Sequence, residues 1–173
     1  EIMKKLLLVL TLAFAVFTLS ACGDKTEAAQ GVTDTTVLVG NSAATSGGLA
    51  FVGLPFVAGI ESYFAMVNED GGVNGRTIEF KHYDDEFNAA QGLTYTETLV
   101  EDDEVFALVG HFGTPTVGAT IDYIQQQGVP MVYAATGINS LYFEESLGNP
   151  VMAVQPIYLT DGRIMAARAL SEE

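Results

Sequence analysis

The sequence predicts an α/β fold: a doubly wound, mainly parallel sheet with helices on its faces. Three observations carry that prediction. Apolar runs without polar alternation recur at residues 36–40, 105–109 and 131–133, as in strands buried on both faces of a parallel sheet. Segments with helical apolar spacing lie between the runs. The two kinds of segment alternate three times, and no internal repeat interrupts them.

Taken in order, residues 36–40 (TVLVG) form the first expected strand. Residues 41–53 read as a Ser-, Ala-, Thr- and Gly-rich loop that carries Phe51. Pro55 suits a helix first turn, and Phe56, Ile60, Tyr63 and Val67 mark one apolar face behind it. Gly71 is the expected left-handed cap of that helix. Val73-Asn74-Gly75-Arg76 reads as a turn into a second strand, residues 77–83, with Ile78, Phe80 and His82 on one face. Asn88-Ala89-Ala90-Gln91 resembles a capping box, opening a helix that runs to about Glu101.

The stretch from Val105 to Gly137 organises the rest. Residues 105–109 are a strand and 110–115 a loop of turn formers. Thr116 is the expected cap of a helix whose Val117, Ile121 and Ile124 share a face. Gly128 ends that helix, Pro130 opens a strand at residues 131–133, and residues 134–137 form a second loop. Parallel strands joined by a helix place both loops at the edge where open α/β sheets bind ligands. The first loop also feeds a helix N-terminus, which favours an anion. The stretch therefore supplies half of a small-molecule site suited to a carboxylate. Beyond it come a loop at 139–149 with aromatic content, a strand at 151–154 broken by Gln155-Pro156, and a last helix at 161–170 with Thr160 as its cap. That helix has nothing after it to pack against, so the chain reads as a fragment cut within a second domain.

Ahead of the fold, Met3-Lys4-Lys5 and the apolar run 6–19 read as a secretory leader, too short for a convincing membrane span. Glu1-Ile2 precede that start. Residues 23–34 are small and polar and read as a flexible tether. The 173 residues are 49% hydrophobic, enough for one domain with a core. A formal net charge of −15 argues against nucleic acid and anionic membrane surfaces as partners. The acids cluster at 84–86 and 101–104, read as solvated loops and helix ends, with calcium the lesser alternative because EF-hand spacing is absent.

Enzyme motifs are absent. There is no Gly-Lys-Ser/Thr after the glycines at 40–53, and residues 110–113 give only G-x-x-G. No H-x-x-x-H or C-x-x-C pair suggests a metal, and no cofactor is implied. His111 has no nucleophile motif near it and reads as a buried or loop-bonding histidine. Asp84 and Asp85 are neighbours on an extended segment, so they point to opposite sides and are a poor catalytic pair.

Several strings, in this order, carry a family likeness. They are Asn68-Glu69-Asp70-Gly71-Gly72-Val73-Asn74-Gly75-Arg76, Tyr83-Asp84-Asp85, Leu99 through Ala107, Gly113-Thr114-Pro115-Thr116, Gly128-Val129-Pro130, Ala135-Thr136-Gly137 and Gln155-Pro156. Residues 37–170 thereby resemble the leucine/isoleucine/valine-type periplasmic binding proteins, the type I solute-binding components of ABC importers. The resemblance implies two α/β lobes that close on a ligand by hinge motion. Residues 35–154 would be the N-terminal lobe, and 155–173 the hinge crossing and first helix of a truncated second lobe. It implies an amino acid or similar ligand, an ABC permease as partner, and no catalysis. Ligand sensing for amides or other small solutes is the alternative role.

The same resemblance places the carboxylate-binding hydroxyl at Thr114. It places backbone and hydroxyl contacts at Ala135, Thr136 and Gly137, and a pocket aromatic at Phe51, or a lost contact if Val52 is the match. Tyr158, just past the hinge, faces either the cleft or the packing between lobes. An acidic partner for the ammonium group belongs to the missing lobe. Leu19-Ser20-Ala21-Cys22 resembles a bacterial lipobox, which implies cleavage before Cys22, lipidation of its sulfur, and an extracytoplasmic, membrane-anchored product.

Overall fold

The structure is a computed structural model that describes residues 29–143, 150–153 and 155–171. The expected leader, Cys22, the first part of the tether, residues 144–149 and Val154 lie outside the described residues.

Five strands form one all-parallel sheet: β1 (Thr36–Ala43), β2 (Thr77–Asp84), β3 (Ala107–Val109), β4 (Met131–Ala134) and β5 (Val151–Ala153). Their order across the sheet is β2-β1-β3-β4-β5. The helices are α1 (Ala50–Glu69), α2 (Ala89–Glu97), α3 (Thr114–Gln127), α4 (Ser140–Phe143) and α5 (Tyr158–Ser171). The doubly wound expectation holds, and the order reverses direction at β1. Right-handed crossovers then place α1, which leads from β1 outward to β2, on one face. They place α2, α3 and α4, which lead the other way, on the opposite face.

That opposite face holds the core. Leu108, Val117, Ile124, Met131, Leu141 and Val151 pack there with Leu99 and Val105, almost all without solvent contact. The helical face expected in α3 is confirmed, since Val117, Ile121 and Ile124 are all buried. Helices α2 and α3 touch where Gly92 lies against the Thr116 side chain. The last turn of α2 widens into a π-type turn, Thr98–Asp102, which buries Leu99 and Val100.

Several boundaries differ from the sequence expectation. Strand β1 runs three residues further, to Ala43, through the buried Asn41 and Ser42. Helix α1 starts at Ala50, so Pro55 lies inside it rather than in its first turn. Helix α3 starts at Thr114, with Gly113 as cap and Pro115 in the first turn, and Thr116 is not its cap. Gly113 adopts φ 108°, a conformation costly for a residue with a side chain, which lets the helix begin earlier. Helix α5 starts at Tyr158, two residues before Thr160. Residues 140–143 of the expected loop form the short α4. The tether ends early: Gln30 Nε2 donates to Val100 O at 2.9 Å and Val32 bridges Val37. Expectations that hold include the Asn88 cap, whose side chain accepts from the Ala90 and Gln91 amides. The Gly71 and Gly128 left-handed positions hold as well.

Helix α1 is long and apolar enough to cross a membrane by length and composition alone. It instead joins two neighbouring strands of one sheet and packs on that sheet, with the Phe64 ring edge-on to Phe80 at 5.6 Å.

Candidate functional site

The C-terminal ends of the parallel strands converge on four loops, and buried polar groups tie these together. Asn41 Nδ2 donates to Gly110 O at 3.0 Å, and its Oδ1 lies 2.8 Å from His82 Nδ1. His82 Nε2 in turn lies 2.8 Å from Thr45 Oγ1. Burial holds the His82 pKa below its usual value despite the nearby Asp84.

The acids at 84–86 are not simply solvated, as their composition suggested. Asp85 is fully buried, and its carboxylate accepts from Ser42 Oγ (2.7 Å), Thr116 Oγ1 (2.9 Å) and the Phe87 amide (2.8 Å). It thus joins β1, the β2–α2 loop and the first turn of α3. Asp84 Oδ1 accepts from the amides of Thr45, Ser46 and Glu86. Burial opposes its charge, yet the bonds from Ser46, Glu86 and Thr45 hold its pKa below the ordinary carboxylate value. As expected, the two neighbours serve different partners. Glu86 and Phe87 both adopt left-handed φ (52° and 63°), a strained arrangement held by these amide bonds. No cluster of metal-ligating side chains exists among the described residues.

Five of the sequence-selected residues come together. The loops after β3 and β4 are joined by a parallel bridge between Phe112 and Ala135, with Ala135 N donating to His111 O at 2.8 Å. This brings Thr114 Oγ1 to 2.8 Å from Thr136 Oγ1. Thr136 Oγ1 also accepts from Ile138 N at 3.2 Å. Tyr158 N donates to Gly137 O at 2.9 Å, and the tyrosine ring lies so close over Gly137 that a Cβ there would sit 2.6 Å from Cδ1. The Thr114 hydroxyl first, then the Thr136 hydroxyl and the Gly137 amide, favour the charged form of the Tyr158 hydroxyl and hold its pKa below the usual phenol value. With its carboxamide oxygen turned to the loop, Gln155 accepts from the Gly137 amide at 2.6 Å and the Thr136 amide at 3.3 Å.

Thr114 is also the first residue of α3, where free amides and the helix dipole favour negative charge. Three hydroxyls thus converge on one helix N-terminus. A hydroxyl can donate without carrying charge, so the group suits a carboxylate and offers no nucleophile–base pair. Thr136 is fully buried and Thr114 only partly, so Thr114 is the more accessible of the two.

Phe51 stands apart. It is 75% exposed in the first turn of α1, and no ring contact joins it to the hydroxyl group among the described residues. Val52 beside it is 37% exposed. Besides Tyr158, the aromatic that reaches the site is Phe87, missed in the sequence. Its ring leaves no room for a Cβ on Gly113 (2.6 Å to Cε2) and lies 6.2 Å from Phe112. Its position one residue before the Asn88 cap, after Asp85, is the one sequence cue that could have marked it.

His111 is buried, as expected. Thr96 Oγ1 donates to Gly92 O, so its oxygen accepts from His111 Nε2 at 3.0 Å. Nδ1 has no partner, and burial pushes the pKa down to about 3. The histidine is neutral and structural.

Comparison with known proteins agrees with this architecture. The sequence profile of the periplasmic binding protein family matches residues 36–159. A Leu/Ile/Val-binding protein homolog 2 from Brucella abortus is 31% identical over 113 residues, which are 65% of this chain and 30% of the relative. The crystal structure of a possible leucine/isoleucine/valine-binding protein from Rhodopirellula baltica superposes with a TM-score of 0.73 at 25% identity. That match covers 86% of this chain and 38% of the other. A substrate-binding periplasmic protein from Ralstonia solanacearum gives 0.68 at 28% identity, over 78% of this chain and 38% of its own. The chain therefore spans about a third of the length of the relatives it matches.

Proposed function

This chain belongs to the periplasmic binding protein family, and from that premise we propose that it is the N-terminal lobe of an extracytoplasmic solute receptor serving an ABC importer. Its ligand is a small molecule bearing a carboxylate, a branched-chain amino acid first among the candidates. The observation that carries this reading is the convergence of the Thr114, Thr136 and Tyr158 hydroxyls on the N-terminus of α3. Thr114 donates to the carboxylate, Thr136 orients Thr114, and Tyr158 supplies a further donor from the hinge side. Ala135 and Gly137 shape the loop behind them, and Phe51 covers the ligand from the first helix. The Leu/Ile/Val-binding relative supports the amino-acid class.

Hinge closure accounts for transport in this reading. Each lobe holds part of the ligand, and the closed form is what the permease recognises. The units are a leader at 1–22, a tether from 23, this lobe at 35–154, and the hinge and first helix of a second lobe at 155–173. Cys22 carries the lipid anchor. A sensing role for amides or similar solutes is the alternative, and the anchor at Cys22 speaks against a transmembrane sensor.

The test is calorimetry of the full-length protein with a panel of aliphatic amino acids, their amides and unrelated solutes. Micromolar binding of one amino acid, weakened at least tenfold by Thr114→Val, is the expected result. Binding of the amide as tightly as the acid would remove the carboxylate reading.

A further inference from the structure

A chain of hydrogen bonds with assignable protons runs across the strand ends. Asn41 is fully buried near the end of β1, and its Nδ2 donates to the carbonyl of Gly110, which opens the loop carrying Thr114. A carbonyl only accepts, so the carboxamide is fixed with Oδ1 toward His82 Nδ1 at 2.8 Å. The imidazole must therefore donate from Nδ1. A neutral imidazole has one N–H, which leaves Nε2 bare, and Thr45 Oγ1 donates to it at 2.8 Å. One carbonyl after β3 thereby sets the direction of every bond out to Thr45, in the connection that leads to α1 and Phe51.

We propose that His82 is a positioning residue for the ligand edge: as the neutral Nδ1–H tautomer it locks the loop after β1 to the loop after β3, and taking up a proton loosens that lock, so that ligand affinity falls with pH. A second proton turns Nε2 into a donor. Thr45 Oγ1 must then accept, and its own proton loses the acceptor it had. The new charge also acts on the backbone of the same loop. Asp84 Oδ1 holds the amides of Thr45 and Ser46 at 2.9 and 3.2 Å, and an imidazolium beside it competes with them for the carboxylate. The charged groups that act on His82 are Asp84 on its own strand, Glu61 from α1 and Asp85 beyond β2, while β1 and its loop present the uncharged Asn41 and Thr45. Burial outweighs these three carboxylates and holds the pKa below its usual value, so the neutral form is resident at neutral pH. The lock is complete above about pH 6.5 and is lost as pH falls through the lowered value. The effect on affinity rests on the receptor reading, and the proton assignment does not.

The test uses the full-length protein at pH 7 and pH 5, with leucine as the calorimetric probe, since leucine itself does not titrate in this range. The unaltered protein should bind leucine at least threefold more weakly at pH 5. His82→Gln has no titrating group at this position. It should bind several-fold more weakly than the unaltered protein at pH 7, having lost the Nδ1 donor, and should change no further at pH 5. His111 does not contribute, because burial keeps its pKa at about 3 and holds it neutral in the fold. Equal affinity of the unaltered protein at the two pH values overturns the proposal, and so does the same pH slope in His82→Gln. Two readouts need no ligand. Nitrogen NMR of the His82 ring should show the Nδ1–H tautomer at pH 7, and an Nε2–H tautomer overturns the assignment. Amide exchange at Thr45 and Ser46, corrected for the intrinsic pH effect, should lose protection at pH 5 in the unaltered protein and not in His82→Gln. Leucine that binds at neither pH counts against the amino-acid reading, and the exchange result then decides the lock alone: protection unchanged between the two pH values overturns it.

Discussion

The two faces of the sheet are built from the same kinds of residue and end in opposite states. On one face Leu108, Met131 and Val151 sit in register under α3 and α4 and are buried. On the other, their immediate chain neighbours Val132 and Met152 stay 38% and 60% exposed, and Val109 lies beside the Phe56, Ile60 and Phe64 side of α1. The difference lies in crossover direction, not in composition. Three connections run one way along the sheet and one runs the other, so right-handedness supplies helices unequally. The lesson is that an apolar strand states that both its faces want cover, while only the topology states which face receives it.

The largest break in that comparison is expected from Leu108→Ala. It should cost the present chain about 3 kcal/mol in chemical denaturation, because the cavity opens in a packed core. Val132→Ala in the same chain should cost about 0.5 kcal/mol, as a half-exposed position does. Equal costs for the two positions in the present chain would erase the contrast.

Asp85→Ala should follow, at about 2 to 3 kcal/mol, because Ser42, Thr116 and the Phe87 amide lose their shared acceptor. Thermal unfolding measures it. A loss confined to a few tenths of a kcal/mol would mean the carboxylate does not tie the loops to the covered side.

His111 sharpens the comparison through pH. Its folded pKa is lowered to about 3, against about 6.5 when unfolded. The unfolded chain therefore takes up the proton first as pH falls. Its contribution to stability is complete above about pH 6.5 and is lost progressively toward pH 3. By pH 5 the loss should reach about 2 kcal/mol. Denaturation at pH 7 and pH 5, compared with His111→Leu, isolates this slope, and the variant should lack it. The smallest effect is expected at Tyr158→Phe, which removes one hydroxyl from an exposed ring and should change stability by less than about 1 kcal/mol. Its effect should appear instead as a several-fold loss of affinity in the full-length protein.

Much of the sheet was legible because parallel strands announce themselves as unbroken apolar runs, and Gly71 and Gly128 mark helix ends by a conformation that favours glycine. Helix starts were less legible. Ala50, Thr114 and Tyr158 begin helices without an Asx or Ser cap, so sequence signals at Pro55, Thr116 and Thr160 drew the boundaries too late. Loop placement brought the loops that carry Thr114 and Thr136 to one sheet edge, since both end neighbouring parallel strands, while the two residues themselves were marked by the family resemblance and their contact was not foreseen. Asp85 was hidden because its run of acids looks solvated. Its burial depends on hydroxyls from residues 42 and 116, far away in sequence. Phe87 was hidden for the same reason, as its place is set by the bond from its amide to Asp85.

The central claim is that this lobe holds half of a binding site. Calorimetric titration of leucine into the 173-residue chain and into the full-length protein, under one buffer, tests it most directly. The account predicts micromolar binding by the full-length protein and affinity at least a hundredfold weaker, or no measurable heat, for the present chain. Equal micromolar affinity in both would contradict it, because the hydroxyl group on α3 would then suffice without a partner lobe.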